Sequence, residues 1–149
     1  MSTSSRFATA VHLLAYLAIN GQDGPVPSDR LAASINTAAS VIRRLLMQLT
    51  AAGLTKTQLG TGGGAMLAKS PRSVSLMQIF DAVETVEAFA LHRAPPNAAC
   101  RVGRNISSVL GSVASRAETA MRQELKSQTL ADIVEQVLQA EKAEGRRKA

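Results

Sequence analysis

Cysteine is almost missing from this chain: Cys100 stands alone among 149 residues. One thiol cannot close an intrachain disulfide or build a cysteine-rich zinc site within a single chain. Tryptophan is absent, and aromatics make up only 3% of the residues. A core must therefore come from Leu, Ile, Val and Ala, which suits closely packed helices. No apolar run approaches the roughly 18 residues of a membrane span. The opening Met1-Ser2-Thr3-Ser4-Ser5-Arg6 lacks the charged-then-apolar layout of a secretory leader. A cytoplasmic protein without a membrane partner is expected. No Ser/His/Asp set or carboxylate pair has the spacing of a catalytic site, so neither an enzyme nor a bound metal or cofactor is expected.

What is present is positive charge, unevenly placed. The net charge is +6. Residues 1–80 hold seven Lys/Arg against two Asp, a net of +5, whereas residues 81–149 hold ten against nine, a net of +1. A positive field concentrated in one half is the footprint that a DNA-binding surface requires.

The same half carries a recognisable pattern. Leu31, Ala32 and Ile35 share one face of a short helix, and Asn36 stands where the chain must turn out of it. Asparagine is the best side-chain-bearing substitute for glycine in a left-handed turn. A second helix follows, with Thr37, Val41, Ile42, Leu45, Leu46 and Leu49 expected to be buried and Gly53 as its stop. Ala38, Ala39, Ser40, Arg43 and Arg44 are left facing outward. Small residues allow close approach to base edges, and the arginines reach phosphate or guanine. Leu54 to Leu59 alternates as a strand, Gly60-Thr61-Gly62-Gly63-Gly64 must turn, and Ala65 to Ala68 returns. Helix-turn-helix followed by a β-wing is a device for reading DNA. The expected contacts are Ser40, Arg43 and Arg44 on bases or phosphates, Ser28 and Arg30 on the backbone, and Lys56, Gln58, Thr61 and Gly62 along the adjacent groove.

Two other functions compete with it. The glycine run Gly60 to Gly64 would serve a nucleotide-binding protein as a phosphate loop, but such a loop needs a helix after it, and Ala65-Met66-Leu67 reads as a strand. A protein-binding adaptor would use the same helices without DNA.

Elsewhere the chain reads as helix. Phe7, Ala10, Val11, Leu14, Leu17 and Ala18 recur at helical spacing up to Gly21, and Ser28 is placed to cap the next helix. Ser75 and Gln78 form a capping box, with Met77, Phe80, Val83 and Val86 as the buried side of a fourth helix. Ala94-Pro95-Pro96-Asn97 breaks it. From Val102 to Leu125, apolar residues at steps of three and four predict a helix about 35 Å long, longer than so small a body needs. Its stripe, including Ile106, Val109, Leu110 and Val113, is expected to meet a second copy in a homodimer. A last helix begins near Thr129 with Asp132 in a weak capping box. It is expected to bury Leu130, Ile133, Val134, Val137 and Leu138, with a frayed tail from Glu144. The fold expected is mainly α with a small two-stranded wing. Residues 1–80 form the winged helix-turn-helix domain, and residues 81–149 a helical dimerisation and sensor region.

Val41-Ile42-Arg43-Arg44-Leu45-Leu46, then Leu49, Ala52-Gly53-Leu54, Gly60-Thr61-Gly62-Gly63-Gly64-Ala65 and Ser75-Leu76-Met77-Gln78-Ile79 resemble the Rrf-two family of bacterial transcription regulators. Arg6-Phe7-Ala8 and the Cys100 segment also fit, so the resemblance covers nearly the whole chain. It implies winged-helix homodimers that act on pseudo-palindromic operators, as repressors or activators, through a long dimer helix after the wing. This chain departs twice from the family pattern. Many relatives hold an iron–sulfur cluster with three cysteines before the long helix, and here only Cys100 is present, a deficit that His92 does not repair. Many also carry an arginine before the first wing glycine, where this chain has Leu59. Cys100, at a helix start among Arg93, Arg101 and Arg104, reads either as an oxidant-responsive thiol or as a small residue left where relatives have ligands. No motif identifies a small-molecule effector.

Overall fold

A computed structural model describes residues 5–85 and 89–148. Its elements are α1 (Arg6–Asn20), α2 (Ser28–Ile35), α3 (Ala39–Ala51), β1 (Thr55–Gln58), β2 (Gly64–Leu67), a 3-10 turn (Pro71–Ser73), α4 (Leu76–Val83), α5 (Arg101–Ser127) and α6 (Leu130–Lys148). The chain divides into two units, Met1–Glu84 with Lys126–Ala149, and Thr85–Leu125.

Leu13, Leu14, Leu31, Ile42, Leu45 and Leu49 are fully buried where α1, α2 and α3 meet. Leu13 joins Leu14 because the buried face of α1 is wider than a strict three-four stripe. Phe7 and Phe80 meet edge to face, with centroids 5.6 Å apart. α1 has no side-chain cap of its own. Instead the Glu84 carboxylate, from just past α4, accepts the Phe7 amide at 3.1 Å and lies 3.5 Å from the Arg6 guanidinium. A negative group is thereby set at the positive end of α1.

The turn between α2 and α3 forms as expected. Asn36 is left-handed (φ 57°), and the Thr37 amide donates to the Ala32 carbonyl at 3.0 Å while Asn36 donates to Ala33. That pair of bonds closes a helix in the Schellman manner. α3 ends the same way at Gly53 (φ 72°), with Leu54 donating to Leu49 and Gly53 to Thr50, both at 2.9 Å. Two expected core positions differ. Thr37 is used up in the turn and is half-buried, and Val41 is 42% exposed, because it lies about 100° around the helix from the buried Ile42. Ser28 is not a cap: α2 starts at Ser28 itself, with extended Pro27 in the cap position.

β1 and β2 pair antiparallel, with Thr55 opposite Leu67 and Gln58 opposite Gly64. Val26 adds a bridge to Ala65 through two 2.9 Å bonds. Gly64 has to be glycine, since a Cβ there would overlap the Val26 carbonyl.

The last helix lies differently from the division at residue 80. Leu130 is fully buried in the first unit, and α6 packs on α1 and the 3-10 turn. The cause is a backbone clasp: Leu76 donates to Gln128 at 2.9 Å and Leu130 to Val74 at 2.8 Å. Both capping boxes are complete. The Gln78 amide donates to Ser75 Oγ at 3.2 Å, and the Thr129 amide donates to Asp132 Oδ2 at 2.7 Å. Of the five α6 residues expected to be buried, only Leu130 is. Ile133 and Val137 line an open apolar groove of about 590 Å³ against α1. Helix continues to Lys148 rather than fraying at Glu144, and Arg146, Arg147 and Lys148 oppose its negative end. α4 stops at Val83, and Val86 lies outside the described residues.

The second unit ends within α5, which is 27 residues long, about 40 Å by helical rise. None of its residues is buried. Val102, Val109, Leu110 and Val113 stand exposed on it.

Candidate nucleic-acid interface

α3 is anchored from below by Ile42, Leu45 and Leu49, so its opposite side must project. Ser40, Arg43 and Arg44 are all exposed there, as is Ala38 before the first turn, while Ala39 is half-buried. Ala38 is extended and makes no side-chain cap bond; its carbonyl accepts the amides of Val41 at 3.0 Å and Ile42 at 3.3 Å. Met47, which sequence reasoning passed over, is 72% exposed on the same side.

Between α3 and the wing runs a groove of about 680 Å³. Ser28, Arg43 and Met47 line it from the helices, and Thr57 and Ala65 from the wing. Two expected contact residues, Ser28 and Arg43, are thus brought together, and a third polar group, Thr57, joins them. Strand alternation could have identified Thr57, since β1 turns successive side chains to opposite faces. Lys56 accordingly points the other way, toward a recess shared with Gln22 and Lys69. Arg30 also lies apart, beside Asn20 and Asp23.

The wing is held to α3 by one side-chain bond. Thr55, 2% exposed, meets Thr50 with its hydroxyl at 2.9 Å. At the tip, Thr61 and Gly62 are exposed, and Leu59 is 87% exposed. Gly60 and Gly62 take positive φ (91° and 75°) to close the hairpin. β2 follows this loop directly, so the loop does not lead into a helix as a phosphate loop must, and the phosphate-loop reading falls.

Cys100 is exposed immediately before α5. The backbone amides of Gly103 and then Val102 hold its thiol below the ordinary range, against a small opposing effect of desolvation.

A helix-turn-helix with a wing and exposed arginines on the second helix defines the class of winged-helix DNA-binding regulators. The chain belongs to the Rrf2 family: the model described as "Iron-dependent Transcriptional regulator" matches residues 3–136. YwnA of Bacillus subtilis (strain 168), assigned by name to the HTH-type transcriptional regulators, is 34% identical over 132 residues, which cover 88% of this chain and 96% of YwnA. The solved structure of T. potens IscR aligns with a TM-score of 0.72 at 24% identity, over 94% of this chain and 90% of that one. CymR (YrzC), the global cysteine regulator of B. subtilis, aligns at 0.66 and 21% identity, over 91% and 97%. These two structures carry the fold. The protein is a DNA-binding transcription regulator, not an enzyme. Among the described residues, no helix is long and apolar enough to cross a membrane.

The family's description is iron-dependent, but the donor set here does not fit an iron–sulfur cluster. The chain has one cysteine and two histidines. His92 is exposed, and His12 shares a 3.1 Å bond with Ser34. Among the described residues, no three His, Cys, Asp or Glu side chains converge. A cluster needs about four thiolate or imidazole ligands.

Proposed function

We propose that the protein acts in the cytoplasm as a homodimer that represses transcription from a pseudo-palindromic operator. The observation that carries this reading is the projecting face of α3, where Ser40, Arg43 and Arg44 stand clear of the core. Ala38 and Ala39 let the start of α3 approach the base edges, and the two arginines bond guanine or phosphate. Ser28 and Thr57 line the same groove as Arg43, polar groups that would serve a sugar–phosphate strand passing between reading helix and wing. Lys56, Gln58, Thr61 and Gly62 serve the adjacent groove from the wing's far face and tip, and Arg30 a more distant phosphate.

The apolar stripe of α5 supports the dimer. A helix about 40 Å long with no buried residue is stabilised by a second copy of itself. Two reading helices would then meet half-sites about 34–36 Å apart. Cys100, an exposed thiol with a depressed pKa, is the group through which an oxidant would alter operator affinity.

The test is fluorescence anisotropy on an operator obtained by binding-site selection. Arg43→Ala/Arg44→Ala loses specific binding, and unchanged affinity would refute the assignment of α3. Sedimentation of Val109→Glu/Val113→Glu reads the dimer, which should dissociate. For the thiol, wild type and Cys100→Ser are compared with and without peroxide, and identical unresponsive affinities would end that part of the reading.

A further inference from the structure

Of the two large apolar side chains exposed on the reading helix, Val41 is 42% exposed at the margin of the buried stripe, whereas Met47 stands far out on the opposite side. Met47 is 72% exposed, although Leu46 and Leu49 on either side of it are buried. It follows Ser40 by seven residues, Arg43 by four and Arg44 by three. At about 100° per residue these four side chains fall in one stripe, turned away from the core. Within that stripe Ser40 and the arginines can hydrogen-bond a base edge, whereas the small residues at either end, Ala38 and Ala51, cannot. In the major groove, an apolar side chain finds a single apolar partner on the natural bases, the C5-methyl of thymine.

The geometry points to Met47 as a specificity-determining residue that selects thymine, by packing its thioether chain on the 5-methyl group of a base beneath the second half of α3. Leu46 and Ala51 line the groove with Met47, so its chain has an apolar wall on one side. The unbranched, polarizable side chain can settle on a methyl without the fixed geometry a hydrogen bond demands. This inference rests on the reading of α3 given above.

Deoxyuridine tests it, since it removes the methyl group and nothing else. On the selected operator, each thymine is replaced singly and affinity is measured. At one thymine per half-site, wild type should lose about three- to fivefold, the effect of one buried methyl, and Met47→Ser less than about twofold. Met47→Leu, which keeps an apolar chain, should retain the sensitivity. Wild type that binds its operator but ignores every substitution overturns this inference and leaves the α3 reading standing. Met47→Ser with undiminished sensitivity does the same. Failure of wild type to bind any selected DNA overturns both.

Discussion

The hydroxyls of Thr50 and Thr55 meet at 2.9 Å, tying the last turn of the reading helix to the first residue of the wing. Their surroundings differ: Thr55 is buried, and Thr50 is exposed. Thr50 also lines the groove that holds Arg43 and Thr57, so the bond lies at the edge of that groove.

An asymmetry follows from this. Thr55→Val removes the buried hydroxyl and leaves Thr50 free to bond water, at a cost of about 1 kcal/mol. Thr50→Val strands the buried Thr55 hydroxyl, and should cost up to about 3 kcal/mol. Urea denaturation of the two variants reads the order. Equal losses would show that the bond is not where the stability lies.

Asn36 holds a left-handed conformation between α2 and α3. Asn36→Gly should be tolerated with little change in stability. Asn36→Val, which places a branched Cβ against the backbone, should lower it by about 1–2 kcal/mol. Thermal unfolding distinguishes them.

Phosphate contacts release counterions, so operator affinity should fall steeply as salt rises. Arg43→Gln is expected to reduce the slope of log affinity against log salt by about one, while weakening selected and random DNA together. Loss of affinity for the selected site alone would instead make Arg43 a base-reading residue.

Asp132 titrates against its own cap. The Thr129 amide, then the Thr129 hydroxyl, hold its carboxyl below the usual range; partial desolvation opposes them and Arg72 assists. A depressed folded-state pKa adds stability above the unfolded value, and that stability is lost as pH falls through the folded one. Wild type should therefore exceed Asp132→Asn in stability at neutral pH, and the gap should close as pH drops below about 4. Melting temperatures across that range give the comparison.

The Cys100 thiol is lowered by the first amides of α5. Its alkylation by iodoacetamide should accelerate at a lower pH than that of an unstructured cysteine peptide. Coincident profiles would remove the basis for a reactive thiol.

Much of this structure was legible from short stretches of chain. The Asn36 turn, the Gly53 stop, the Ser75–Gln78 box and the glycine hairpin each depend on residues a few positions apart, and all form where expected. The outward placement of Arg43 and Arg44 followed from helical periodicity. Val41 was misplaced because periodicity gives the middle of a buried stripe more firmly than its margin. Thr57 and Met47 were passed over for a related reason. Neither is basic: Met47 shares a helix face with Arg43 by spacing, but only the packed groove brings Thr57 of the wing to the same place.

Sequence alone determined much of the local geometry: the turn at Asn36, the stop at Gly53, where the hairpin turns, and that the long α5 helix would carry an exposed apolar stripe. Tertiary structure decided which faces meet. Glu84 caps a helix by accepting the amide of Phe7, 77 residues earlier in the chain. Gln128 and Leu130 draw the last helix back to the first unit, and Lys56 is turned from the groove that Thr57 enters. Local bonds are selected by residues within a turn or two of each other. Long-range partners are chosen by the burial of apolar surface shared among several elements, which no single segment specifies.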